Sequence, residues 1–150
     1  MRKMKANIVP LRFRDADEKE FYRILDALKE IYQEEADFLE PRLAGDELPV
    51  DVDAVLFPVM WTNVYTEMDC LLRTIHVPSI VLTTTVGVSL MFDWEAVSYM
   101  KQKGLQVFNP HSVELAKTVF RALALKRDMK HQKFLVFHDS KGEGLIPEQF

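Results

Sequence analysis

Short apolar runs rich in β-branched residues alternate along this chain with segments whose apolar residues recur at helical spacing. Strands that are apolar on both faces are typical of parallel sheets, because each strand–helix–strand crossover places a helix against one face. The pattern predicts a single α/β domain over residues 1–150, with three α/β/α layers around a mostly parallel sheet. The predicted strands are Ala6–Phe13, Asp53–Met60, Ser79–Thr85, Gln106–Phe108 and Lys133–His138.

Amphipathic segments between these strands predict the helices. Asp17 followed by Glu20 is typical of a capping box at the start of the first helix. The second helix is predicted to begin near Thr62 or Asn63. The last two are a short helix capped by Asp93 and ended by Gly104, and a long helix introduced by Asn109-Pro110. The predicted apolar faces of these three helices are Val64, Met68, Leu71, Leu72 and Ile75, then Trp94, Val97 and Met100, then Val113, Ala116, Val119, Phe120 and Leu123.

The stretch 36–52 follows a different pattern. Pro41, Gly45 and Pro49 argue against a helix there. Because a proline removes a ladder hydrogen bond, a strand in this stretch belongs at the edge of the sheet. We expect either an edge strand or an irregular connection.

Composition and charge exclude several classes of protein. Nineteen basic and 23 acidic residues give a formal net charge of -4, so the chain has no electrostatic reason to bind nucleic acid. The single cysteine, Cys70, excludes an intramolecular disulfide and a zinc knuckle. No segment approaches the ~20 apolar residues that cross a bilayer, and the N-terminal apolar run is too short for a signal peptide. We expect a cytoplasmic protein without nucleic-acid or membrane partners.

The sequence lacks the motifs of common α/β enzymes. The first strand-to-helix turn, Phe13–Glu18, contains no glycine, which argues against a dinucleotide-binding turn. Ser140 is not in a G-x-S-x-G elbow, and Gly142–Gly144 is not part of a P-loop. The four histidines fall on different predicted elements without H-x-x-x-H or H-E-x-x-H spacing. We assign no catalytic residue and no metal ligand to this chain.

Polar side chains follow the predicted strands at their carboxyl ends, which is the edge where open parallel sheets bind ligands. Arginines, an aromatic side chain, hydroxyls and a carboxylate together suit a polyol or a small anion. The threonines of 83–85 also suit a strand without any ligand. Arg12 and Arg14 could instead be solvated. Trp61 could be a core or rim aromatic, and Asn63 could be a helix cap. The substrate-binding candidates are Arg14, with Arg12 as its alternative, Trp61, Asn63, Asp139 and Lys141.

Four stretches taken in order resemble the N-terminal domain of the L-fucose and L-arabinose isomerase-like sugar isomerases. They are NIVPLRF, VDAVLFPVMWTN, VPSIVLTTT and KFLVFHDSKGEG, the last followed by LIPEQF. The resemblance implies a flavodoxin-like or Rossmann-like first domain of a multidomain, homo-oligomeric, Mn²⁺-dependent enzyme that interconverts aldoses and ketoses. It also implies that the metal ligands belong to later, C-terminal catalytic domains, so we expect the natural protein to continue beyond Phe150.

The resemblance implies that this domain closes the substrate pocket of a neighbouring subunit. Arg14 and Trp61 are the positions it suggests as contacts to the sugar. We therefore expect a substrate-closing and assembly domain that is inactive by itself and holds no cofactor. Two other interpretations stay open. One is a standalone binding module for a sugar or sugar phosphate, and the other is a regulatory domain whose apolar end, Leu145–Phe150, docks onto a partner.

Manganese provides the first test. Because no ligand cluster is predicted in this chain, we expect Mn²⁺ to leave its melting temperature unchanged. Thermal unfolding with and without the metal measures this, with Mg²⁺ as the control ion. A clear rise specific to Mn²⁺ would contradict the assignment of the metal ligands to other domains.

Overall fold

A computed structural model describes residues 4–60, 64–82 and 91–133 of the chain. Strands and helices alternate along these ranges as the sequence predicts. The elements are β1 (Ala6–Arg12), α1 (Glu18–Tyr32), β2 (Ala36–Phe38), β3 (Arg42–Leu43), β4 (Ala54–Phe57), α2 (Met68–Thr74), β5 (Ser79–Val81), α3 (Met91–Gln102), β6 (Val107–Phe108) and α4 (Val113–Lys130). The predicted strand Lys133–His138 lies, apart from Lys133, outside the described residues.

The sheet is parallel at every described pairing, in the order β2-β1-β4-β5-β6. With the two-residue β3 set aside, its strands follow the 2-1-3-4-5 order of flavodoxin-like domains. This confirms the predicted mostly parallel α/β/α fold.

Of the two alternatives predicted for 36–52, the structure has an edge strand, in two pieces, β2 and β3. The backbone carbonyls of Ile8 and Arg12 accept hydrogen bonds from Leu39 and Ala44, whereas the carbonyl of Asn7, which points the other way, accepts from Asp53. Successive carbonyls of a strand point to opposite sides. β2 and β3 therefore both lie along the edge of β1 that faces away from β4.

Two hydrophobic cores form, one on each face of the sheet. All four residues of β4 are buried, and they alternate between the two cores. Leu56 packs in the core that contains Leu28 of α1 and Phe120 of α4. Val55 packs in the other core, which includes Leu71 of α2 and also side chains of α3. Burying an aliphatic side chain this completely stabilises the fold by about 1.5–3 kcal/mol, so both faces of the sheet are held strongly.

Local capping signals correctly place some helix ends and misplace others. The Oδ1 of Asp17 accepts a 2.7 Å hydrogen bond from the backbone N–H of Glu20, which confirms the predicted cap of α1. The Asn109-Pro110 start is wrong, because the hydroxyl of Ser112 caps α4 by accepting from the N–H of Leu115. Pro110 is buried before the helix begins.

The predicted start of the second helix is also too early. Thr62 and Asn63 lie outside the described residues, Val64 is in 3₁₀ conformation, residues 65–67 form a turn and a bend, and α2 begins at Met68. The residue before α2 is Glu67, whose side chain makes no capping hydrogen bond, so no local cap marks the observed start. The apolar face is correct except for Leu72, which is exposed.

The orientation of α3 corrects another prediction. Trp94 is 68% exposed, whereas Val97 and Met100 are buried as predicted. Asp93 is not a cap, since it lies inside the first turn of α3 and is itself buried. Asp93 therefore holds the inward-facing position that helical spacing assigned to Trp94. Gly104 ends this segment with a φ of +102°, a conformation that favours glycine.

An ion pair fastens the end of α4 to the starts of β1 and β4. The Oδ2 of Asp53, whose side chain is only 9% exposed, accepts from Nη1 of Arg127 at 2.6 Å and from the N–H of Asn7 at 2.8 Å. Arg127 also donates through Nη2 to the carbonyl of Lys5 at 2.6 Å. The pair thus connects three segments that are distant in sequence.

Replacing Arg127 by Met should destabilise the domain by about 3–5 kcal/mol, because Asp53 is left buried without its cation. Urea unfolding measures the change in the free energy of unfolding. The adjacent, exposed Lys126→Met is the matched control and should stay within about 0.5 kcal/mol of wild type. The double variant R127M/D53N should regain part of the loss. Equal urea midpoints of unfolding for R127M and K126M would contradict the stabilising role of the Asp53–Arg127 pair.

Candidate functional site

The carboxyl edge of the sheet has its switch point between β1 and β4. These strands are neighbours, and the helices that follow them, α1 and α2, pack in opposite cores. The helices that follow these two strands therefore lie on opposite faces of the sheet, and in folds of this kind ligands bind at such a point of the carboxyl edge. The predicted site belongs to this edge.

The two arginines after β1 have different surroundings. Arg12 is mostly buried, and its guanidinium lies 3.5 Å from the carbonyl of Ala16 and 3.7 Å from a carboxylate oxygen of Glu18. The side chain of Arg14 is 64% exposed, and its Nη2 lies 3.9 Å from Oδ1 of Asp46. Arg12 is thus directed toward the first turn of α1, and Arg14 is the more accessible of the two.

Trp61, Asn63, Asp139 and Lys141 all lie outside the described residues, as do the threonines of 83–85. The same holds for the apolar ending Leu145–Phe150. Their placement at the carboxyl edge stays a prediction.

Two buried hydrogen-bond acceptors near this edge have no signal in the sequence. The Oδ1 of Asn109, which directly follows β6, and the Oε2 of Glu67, which precedes α2, are buried without a hydrogen-bond partner. An unpaired buried oxygen costs about 1–3 kcal/mol, so each would be stabilised by a donor such as a hydroxyl. Only the tertiary structure reveals them, because burial of these particular atoms has no local sequence signal.

Tyr65 is a further polar group between β4 and α2. Partial burial raises the pKa of its phenol above the ordinary value, and the charge of Glu95 and the neighbouring Tyr99 act in the same direction. The rings of Tyr65 and Tyr99 lie 4.9 Å apart, centroid to centroid. The Tyr65 hydroxyl is therefore protonated at neutral pH and available as a hydrogen-bond donor.

Cys70, the only cysteine of the chain, is closely packed on α2. It is free of disulfides and only half-buried, but its Sγ donates to the carbonyl of Glu67 at 3.0 Å. Gly45, with a φ of +92°, comes so close that a Cβ there would lie 3.1 Å from this sulfur. The close approach indicates a packing role for Cys70.

Two clefts lie at the opposite, amino edge of the sheet. No sequence pattern predicts a site at that edge. One, of about 230 Å³, is lined by Asp53, Arg127, His76 and residues around them. The other, of about 480 Å³, lies beside it near Pro49 and Arg73. The Asp53–Arg127 pair contributes to the wall of the first cleft and already neutralises part of its charge.

The described residues contain no group of three or more His, Cys, Asp or Glu side chains that could hold a metal ion. None of the helices in the described ranges is long and apolar enough to cross a membrane. No protein-family model matches the chain. No curated protein matches it either.

Proposed function

We propose that this chain binds a sugar or a sugar phosphate at the carboxyl edge of its sheet, as the substrate-closing first domain of an aldose–ketose isomerase. The observation that carries the proposal is the exposed guanidinium of Arg14, two residues beyond the carboxyl end of β1, where its contact with Asp46 is long. In this assignment the domain contributes contacts and assembly, and the chemistry belongs to the C-terminal catalytic domains and their Mn²⁺.

The chemistry of Arg14 supports a ligand of this class. A guanidinium has five N–H donors in a planar fork, which suits the adjacent hydroxyls of a sugar or the oxygens of a phosphate. At 3.9 Å its contact with Asp46 is long, and both side chains are accessible to water. Exposed pairs of this kind contribute at most about 1 kcal/mol, so a ligand could displace Asp46 at small cost.

Other polar groups lie along the same edge of the sheet. Asn109 and Glu67 each have an oxygen that is buried without a donor, and a polyol hydroxyl could bond to it where the side chains around it open. Tyr65 supplies a donor that stays protonated at neutral pH. A sugar, which carries donors and acceptors on every carbon, matches such a mixed set better than a purely anionic or apolar ligand does.

The role of Arg14 can be tested by replacing it with Ala. We expect Arg14→Ala to weaken binding about tenfold or more, since a hydrogen bond to a charged group contributes about 1.5–3 kcal/mol. Calorimetric titration with L-fucose, L-arabinose and the phosphate esters of aldoses measures the affinity. Arg73→Ala is the matched control, because Arg73 is an exposed arginine in the last turn of α2, beside a cleft at the amino edge.

Three outcomes bear on this assignment. Both variants should have the same melting temperature as the wild type, because neither arginine takes part in the cores. If no sugar or sugar phosphate binds, the proposed ligand class is wrong. Unchanged affinity of Arg14→Ala beside a binding wild type would remove Arg14 from the site and leave the ligand class standing.

Trp61→Ala tests the second residue suggested by the family resemblance. The substitution should weaken sugar binding in the full assembly and leave the isolated domain folded, because an aromatic face packs on the apolar side of a sugar. Circular dichroism monitors folding in parallel with the titration. Loss of folding would show that Trp61 belongs to the core.

The source DNA downstream of codon 150 distinguishes the isomerase domain from a standalone module. An open frame of several hundred codons that encodes Glu, Asp and His ligands for a metal supports the isomerase assignment. Saturable sugar binding without turnover, combined with a stop directly after Phe150, would assign a standalone binding module.

A further inference from the structure

The long helix α4 carries a second apolar stripe on the side that faces away from the sheet. Its inner side buries Ala116, Phe120, Leu123 and Ala124. On its outer side Leu115 is 41% exposed, and Leu125 and Met129 are each 49% exposed. The outer side of an ordinary surface helix is polar, so these apolar residues require an explanation.

The outer residues follow the heptad spacing of a two-helix seam. Alternate steps of three and four residues define the a and d positions of such a seam. Thr118 is compatible with it, because its hydroxyl already donates to the carbonyl of Glu114 at 2.9 Å and leaves only the methyl group to be buried. A shallow apolar groove runs along Ala122, Leu125 and Met129. The outer stripe of α4 consists of Leu115, Thr118, Ala122, Leu125 and Met129.

The charges beside the outer stripe disfavour a parallel pair of identical helices. In a parallel pair, the two helices contact each other beside the seam through their g and e positions. The g position directly precedes an a position of one helix, and it faces the e position that directly follows the next d position of the other helix. Arg121 would then face Lys126 of a second copy, and symmetry would repeat this repulsion. Like charges placed opposite each other weaken association.

An antiparallel pair brings opposite charges together. When Ala122 of one helix lies opposite Leu125 of the other, Arg121 faces Asp128 of the second copy, and the two-fold axis generates the same pair again. Lys126 then faces Val119, on which its aliphatic stem can pack. The other register, with Thr118 opposite Ala122, would place two copies of Arg121 together and Glu114 against Asp128. Registers shifted further bring fewer residues of the stripe together, so among those that use most of the stripe charge complementarity selects one orientation and one register.

The residues of this pairing keep hydrogen-bonding capacity for a partner. Arg121 donates through Nη2 to Glu35 of its own chain at 3.0 Å, and its side chain is 55% exposed. The guanidinium has further donors for a second carboxylate. Asp128 accepts through Oδ2 from Gln132 at 3.0 Å, and a carboxylate can accept several hydrogen bonds.

We propose that α4 pairs with α4 of a second copy of this chain in an antiparallel, two-fold symmetric seam along the outer stripe. An interface of this kind is isologous, so the same surface serves both copies. A helix of this length spans about 27 Å, which places the buried area at or below roughly 1,200 Å². We therefore expect a weak dimer, with a dissociation constant in the micromolar range or above. The proposal rests on the surface of α4 and is independent of the proposed sugar site.

Sedimentation velocity of the 1–150 chain, from about 1 μM to 1 mM, tests the seam. The wild type should shift from monomer to dimer with rising concentration. Leu125→Glu should weaken the dimer about 100-fold or more, because the seam would bury two unpaired carboxylates. Leu72→Glu, at an exposed leucine of α2, is the matched control and should leave association unchanged. Both variants should melt near the wild type, since each leucine is partly exposed already.

Two charge variants test the orientation. Asp128→Lys places a lysine against Arg121 in the antiparallel pair and should weaken the dimer about tenfold. Lys126→Glu should change the antiparallel dimer little, whereas it would strengthen a parallel one by removing the repulsion from Arg121.

A monomer at every concentration would overturn the proposal. A dimer that L125E leaves as stable as wild type would overturn it too, because association would then use another surface. Strengthening by K126E without an effect of D128K would overturn the antiparallel arrangement.

Discussion

The burial of β1 on both faces and both edges is the constraint on which the rest of the structure depends. Its backbone pairs with β4 on one side and with β2 and β3 on the other. Its side chains enter the two cores alternately, Ile8 in one and Val9 in the other. A strand with no solvated side cannot carry an unpaired polar group cheaply. Both edges of β1 must therefore be paired, and β4 on one side with β2 and β3 on the other supply the partners.

Helix α4 packs one side against the sheet and exposes its other side on the surface of the molecule. Two of its arginines make ion pairs to nearly buried carboxylates, Arg121 to Glu35 and Arg127 to Asp53. These contacts and the packing of Phe120 set the rotation of the helix about its axis. The same rotation exposes the outer stripe. The interface proposed for a second copy is therefore a consequence of how the fold anchors this helix.

The sequence predicted the sheet better than it predicted the candidate site. Strand patterning predicts the parallel sheet and puts Arg14 after the carboxyl end of β1, whereas the strand order, and with it the switch point, comes from the tertiary structure. The choice between Arg12 and Arg14 required the tertiary structure, because the two residues differ only in how the turn into α1 directs them. The buried oxygens of Asn109 and Glu67 were equally inaccessible to sequence analysis, since both residue types are usually solvated.

By itself, the sequence determined the fold class, the alternation of strands and helices, and the cap of α1 at Asp17. These features depend on short-range periodicity and on hydrogen bonds between residues three apart, which local sequence encodes. Only the tertiary structure decided the orientation of α3, where Asp93 faces inward and Trp94 outward. It also decided the starts of α2 and α4 and the pairing of Arg127 with Asp53. Those outcomes depend on contacts between distant segments, whose packing energy exceeds the small differences in local propensity.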